Sequence, residues 1–269
     1  MIEKILINKD SIKKEDIEIA SKLIRELRSG KRVFGNPGEG LKRTLRKLED
    51  DLLNQDKADP LIWKTKDRNI LKEISRVKHG IKGEIRLSSY IEQIIKNDPE
   101  LHGMIFFASL SSVDETKAEE LGYIPDTDFV AVCGKNLMIL DAKNISVSYP
   151  VYIDEKDCLL TPNGKLMQLT TSKYVWEDIL EKEKIKCNID GCTVIVSSDK
   201  ILIFKNDNWY RSSCRPIFVG DLRDYLIDWM SKIEDKTVSL QLLTIISKVQ
   251  IRKDKSNIDF NNSLSRFMK

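Results

Sequence analysis

The chain has 269 residues, 41% hydrophobic and 32% charged, with a net charge of +3. Those fractions exclude a mainly disordered or fibrous protein, and the length suffices to bury a core without disulfide or metal staples. No run of 18 apolar residues occurs and charge begins at the third residue, so neither a membrane span nor a secretory signal is expected.

Residues 11–79 read as helical. Ser11 stands as a cap ahead of the stripe Ile17, Ala20, Ile24, Leu27, which Gly30 ends. The loop Gly35–Gly40 precedes a second stripe, Leu41, Leu45, Leu48, Leu52, and Pro60 opens a third with Ile70, Leu71, Ile74, Val77. Ile81, Ile85, Ser88, Ile91 and Ile95 mark one more helix, with Gly83-Glu84 near its start. Short runs of branched and aromatic residues follow at 104–110, 129–133, 137–140 and 146–151, a strand meander with a turn at Cys133–Asn136. A helix is expected over 166–183, strands over 192–197 and 200–205, and helix again from Asp221. Helices on both sides of a run of strands imply an α/β core.

Charge is uneven along the chain. Residues 1–80 carry net +6, residues 81–160 net −7 and residues 161–269 net +4. Within 22–47 nine basic residues (Lys22, Arg25, Arg28, Lys31, Arg32, Lys42, Arg43, Arg46, Lys47) face only Glu26 and Glu39, a density able to neutralise phosphates. The five cysteines (Cys133, Cys158, Cys187, Cys192, Cys214) form no Cys-x-x-Cys pair, and His79 and His102 lie far from them, so reduced thiols are expected rather than a zinc site. Trp176, Trp209, Trp229 and Tyr225 read as core residues.

One stretch concentrates chemistry. Asp128 opens a strand, and thirteen residues on Asp141 closes the next, followed by Ala142 and Lys143. Alternation along a strand puts Asp141 and Lys143 on one face, and pairing across the turn brings Asp128 close to Asp141. Asp and Lys are depleted in strands, and adjacent carboxylates repel unless a cation lies between them. Oxygen ligands of this type suit Mg²⁺ or Mn²⁺. Asp126 reads as a turn residue after Pro125.

This arrangement resembles the PD-(D/E)xK nuclease superfamily, in which an aspartate opens a hairpin and an (Asp/Glu)-x-Lys triplet closes it. It is more closely similar to the nuclease-related domain family, NERD. Gly80-x-x-Gly83-Glu84 corresponds to that family's Gly-Glu helix, Asp128-Phe129-Val130 to its acidic strand, Lys143-Asn144 to the triplet's end, and Gln168 to a glutamine on the following helix. The triplet acid is Asp141 where the family more often has Glu, and Ile145-Ser146-Val147-Ser148 replaces a glycine-rich turn.

The resemblance implies a restriction-endonuclease-like core, a mixed sheet flanked by helices, over 79–215. A basic helical extension over 1–78 and a helical segment over 216–269 complete the expected domains. It further implies a metal-dependent nuclease acting on DNA rather than RNA. Asp128, Asp141, the Ala142 carbonyl and Glu84 would hold Mg²⁺ or Mn²⁺, Lys143 would position the attacking water, and Gln168 would steady Lys143 or a phosphate. Arg43, Arg46 and Lys47 would grip the nucleic-acid backbone. The expected setting is cytoplasmic, away from membranes, with the helical extensions open to a protein partner or a second copy. The alternative is a nucleic-acid-binding or protein-interaction module with this fold and little activity.

Overall fold

Seven helices and eleven short or long strands make up the described part of the chain, residues 7–8, 12–53, 60–111, 126–145, 150–169, 172–197 and 203–249 of a computed structural model. In chain order they are β1 (Ile7–Asn8), α1 (Ile17–Arg28), β2 (Val33–Phe34), α2 (Glu39–Leu53), α3 (Pro60–Asn97), β3 (Ile105–Ser111), β4 (Asp126–Cys133) and β5 (Asn136–Ile145). Then follow β6 (Tyr152–Ile153), β7 (Cys158–Thr161), β8 (Gly164–Gln168), α4 (Lys173–Lys182), β9 (Asn188–Ser197), α5 (Asp207–Arg211), β10 (Pro216–Phe218), α6 (Leu222–Ser231), β11 (Val238–Ser239) and α7 (240–249).

The main sheet runs β10-β9-β5-β4-β3-β2. Its centre, β3-β4-β5, is an antiparallel meander. β9 joins β5 in parallel, and β2 joins β3 in parallel at the far edge. The fold is therefore mixed α/β, with helices on both faces of a mixed sheet. One face packs Phe106, Phe129, Met138 and Leu140 under Leu87 and Ile91 of α3 and Leu222 and Leu226 of α6. The other packs Phe107, Val130, Val132 and Ile139 under Leu23 and Leu27 of α1, Trp176 of α4 and Leu242 and Ile246 of α7. Near-continuous apolar runs in β4 and β5 follow from this double covering. A small sheet, β6-β7-β8, closes a third core around Ile145, Leu159, Ile195 and Trp209.

Several expectations are modified. The strand meander and the α1 and α2 stripes form where periodicity places them. The third and fourth helical stripes are one helix, α3, which runs straight through the expected boundary at 78/79. Gly80 and Gly83 look like breakers, but they are sites of close approach: a Cβ on Gly83 would lie 2.5 Å from the Asn144 Cβ. The segment 1–78 is not purely helical either, since β2 lies in the main sheet. The helix expected over 166–183 begins only at Lys173, because 164–168 pair with β7 as β8. Residues 146–149 and 198–202, parts of two expected strands, lie outside the described residues, as does Ser11. No helix among the described residues is long and apolar enough to cross a membrane.

Candidate active site

The β4–β5 ladder starts beside the Cys133–Asn136 turn, where Gly134 takes φ +58°, and its last pair is Phe129 with Leu140. Past that pair the Asp128 side chain fills the gap between the strands: its Oδ2 accepts the Ala142 N–H at 2.7 Å. Asp128 is half-buried, while Asp141 is only 5% exposed. Burial first, and then the Asp128 charge, push the Asp141 carboxyl from 3.8 up to about 7; Lys143 and the Ser172 hydrogen bonds pull it back only in part. The two acids and the lysine thus feel one another, as the hairpin spacing implied. Lys143 shares the Asp141 face by alternation, and Asn144 points the opposite way, donating Nδ2–H to the His79 carbonyl of α3 at 2.6 Å.

Asp141 is held from the α4 side by groups the sequence reading did not single out. Ser172, at the start of α4, donates its N–H to Asp141 Oδ2 (2.9 Å) and its hydroxyl to Oδ1 (3.4 Å). The Thr127 hydroxyl lies 2.9 Å from that of Ser172, and Trp176 Nε1–H donates to Thr127 Oγ1 at 3.0 Å. The chain Trp176–Thr127–Ser172–Asp141 is buried, so each donor fixes the next. Its only sequence signal is a serine just ahead of a helical stripe.

On the other side of Asp128 stands Ser109. Its neighbours Ala108 and Leu110 pair with Phe129 and Thr127, so it lies opposite Asp128. Ser109 has φ +53°, a costly conformation for a side chain with a Cβ, and β3 changes face there: Ala108 lies in one core and Leu110 in the other. The Ser109 hydroxyl donates to Glu84 Oε2 (3.3 Å) and accepts the Glu39 N–H (3.2 Å). Gly38 N–H also donates to Glu84 Oε2, at 2.7 Å, with Gly38 at φ +76°. Glu84 therefore sits one strand away from the acid pair and joins α3 to the first turn of α2.

α2 closes over the same end of the sheet. Gly40 lies so close to Asp126 that a Cβ there would fall 1.5 Å from Oδ2, and Arg43 Nη2 lies 3.8 Å from Asp126 Oδ1. Asp126, expected in a turn, is the first residue of β4 and is half-buried under α2. Among the described residues no three His, Cys, Asp or Glu side chains are grouped as metal ligands. The acid pair alone matches what Mg²⁺ takes from protein, one or two carboxylates with water completing the shell, and its like charges in a buried setting are what a cation would relieve.

The remaining expected residues lie apart. Gln168 is an exposed strand residue of β8. Its Nε2–H donates to the Lys156 carbonyl (2.6 Å), and its Oε1 accepts from Lys165 (3.2 Å) and Cys158 (2.9 Å). The glutamine is thus not on the helix where the resemblance put it. The basic block of 22–47 is split: α1 packs on one face of the sheet and α2, against α3, on the other. Arg32 between them is buried, donating to the carbonyls of Leu27, Lys31 and His102. Lys31 pairs with Glu26 and lies over the Phe34 ring. Arg46 and Lys47 are exposed on α2. Trp176, Trp209 and Trp229 are core residues, as expected. Comparison with protein-family models, curated proteins and solved structures returns no match to this chain.

Proposed function

We propose that the chain is a divalent-cation-dependent nuclease that hydrolyses phosphodiesters in DNA, built on a PD-(D/E)xK core of the NERD type. The observation that carries this reading is the pairing of half-buried Asp128 with buried Asp141 at the point where β4 and β5 part, with Lys143 on the Asp141 face. Support also comes from element order: a Gly-Glu helix, a three-strand meander bearing the acids, then, after the small β6-β7-β8 sheet, a helix and a strand parallel to the triplet strand.

In this reading Asp128, Asp141 and the Ala142 carbonyl hold Mg²⁺ or Mn²⁺, which when bound supplies Lewis-acid polarisation of a phosphoryl oxygen. Lys143 orients the attacking water and offsets charge on the phosphate. Ser172 fixes the Asp141 carboxylate. Glu84 extends the site through Ser109. The basic residues of α2 hold the nucleic-acid backbone without reading bases. The setting proposed is cytoplasmic, with all five cysteines free.

A second reading, a binding module with this fold and little activity, draws on the donors already given to Glu84 and Asp128 by Gly38, Ser109 and Ala142. A cleavage panel separates the two. Supercoiled plasmid, linear duplex, single-stranded DNA and RNA are incubated with Mg²⁺, Mn²⁺ or EDTA. Metal-dependent cleavage of DNA supports the nuclease; binding without cleavage under every condition supports the module.

A further inference from the structure

The four basic residues of α2 are not equivalent. Lys42 and Arg46 are loosely paired with Glu39 at 3.7 and 4.0 Å, and Lys47 is exposed. Arg43 alone turns inward, its side chain 17% exposed, with Asp126 as its only ion-pair partner among the described residues. At 3.8 Å that carboxylate is too far to accept a hydrogen bond. Both Nε and Nη2 of Arg43 are buried with no hydrogen-bond acceptor among the described residues. A buried donor left unmet keeps the full cost of its lost hydration, so such groups mark a place completed by something else. These two N–H groups lie on the same edge of the guanidinium, the edge that grips two oxygens of one tetrahedral or planar anion side-on.

We propose that Arg43 binds the phosphate of the substrate at the acidic centre, taking two of its oxygens with Nε and Nη2, and so acts on the rate of cleavage rather than as one more peripheral cation. This rests on the nuclease reading. It makes α2 a wall of the substrate pocket. Gly38 and Gly40 then have a reason to be glycines: they let the first turn of α2 descend onto Glu84 and Asp126, which aims Arg43 inward.

The test compares wild type with Arg43→Ala, Arg43→Gln, Arg43→Lys and, as a control on exposed α3, Arg76→Ala. Two quantities are read: affinity for inorganic phosphate in the presence of Mg²⁺, and the single-turnover cleavage rate at saturating enzyme. Arg43→Ala and Arg43→Gln should lose phosphate affinity by ~10-fold or more and cleavage rate by about 10²-fold. Arg43→Lys should recover only part, because a point charge cannot make the side-on pair. Arg76→Ala should match wild type. Thermal unfolding guards the comparison, with Arg43→Gln keeping length and polarity. Wild-type phosphate affinity in Arg43→Gln overturns the proposal, whether or not its Tm falls, and assigns Arg43 to bracing Asp126. If wild type cleaves nothing on the panel, the nuclease reading fails. The phosphate titration then still decides for Arg43: loss in Arg43→Gln but not in Arg76→Ala supports it, and equal affinities overturn it.

Discussion

The two sides of the acid pair are built differently. Toward α4, Asp141 receives two hydrogen bonds from Ser172, which is held by Thr127 and then Trp176, and every link is buried and satisfied. Toward α2 and α3, Arg43 and Asn144 keep buried polar atoms without partners among the described residues. A satisfied network fixes geometry; an unsatisfied one leaves room for a guest. On the proposed nuclease reading, the contrast gives α4 the task of holding the acids and α2 the task of meeting the substrate. It also separates the two basic helices, since α1 lies across the sheet from α2.

The largest effect should come from the pair itself. Asp128→Ala, Asp141→Ala and Lys143→Ala should each lower metal-dependent cleavage by ~10³-fold or more, and a double variant should be little worse than a single one. Circular dichroism and Tm show whether the fold survives. Near-wild-type cleavage in any of the three breaks the assignment.

Next comes the close approach of α3 to β5. Gly83→Ala puts a methyl 2.5 Å from the Asn144 Cβ and 3.5 Å from its Cα, atoms of a central strand that cannot swing away. The variant should lose about 1–3 kcal/mol in denaturant unfolding, although alanine is the better helix former. An unchanged midpoint would mean that α3 does not need the glycine.

A smaller effect follows from the raised Asp141 carboxyl. Between 3.8 and about 7 the folded chain holds a proton there that the unfolded chain gives up. The stability this group contributes is fully present below 3.8 and is lost as pH rises through about 7. Metal-free wild type should therefore lose Tm from pH 5 to pH 8 more steeply than Asp141→Asn, and Mg²⁺ should restore wild type at pH 8 but not the variant. Parallel pH curves for the two proteins would remove this account.

The smallest effect sharpens the contrast between the basic helices. Replacing Arg46 and Lys47 by Ala should reduce the salt slope of DNA binding by roughly 0.9 per lost phosphate contact. Replacing Lys22, Arg25 and Arg28 of α1 should leave the slope unchanged. Equal changes from both sets would merge the two helices into one binding surface.

The acid pair was legible in the sequence because strand alternation and a four-residue turn fix which side chains meet. The helices of the flanks were legible from their stripes. What was not legible depends on contacts distant in sequence. β2 is two residues long, too short for any pattern, yet it decides that α1 and α2 fall on opposite faces. Gly80 and Gly83 mark a change of element by local rules, whereas packing against Leu41 and Asn144 keeps α3 continuous. Residues 164–168 fit a helical stripe as well as a strand, and pairing with β7 settles them as β8, which removes Gln168 from the helix. Ser172, Ser109 and Asp126 are ordinary residues in the sequence, and only the tertiary fold brings them to the acids.

The most direct test of the central claim is a calorimetric titration of Mn²⁺ into wild type, Asp128→Asn and Asp141→Asn at pH 8, each checked for wild-type Tm. The account predicts saturable binding to wild type that is lost in both variants. Saturable binding of equal affinity in all three proteins, or none to wild type, would contradict a metal centre at Asp128 and Asp141.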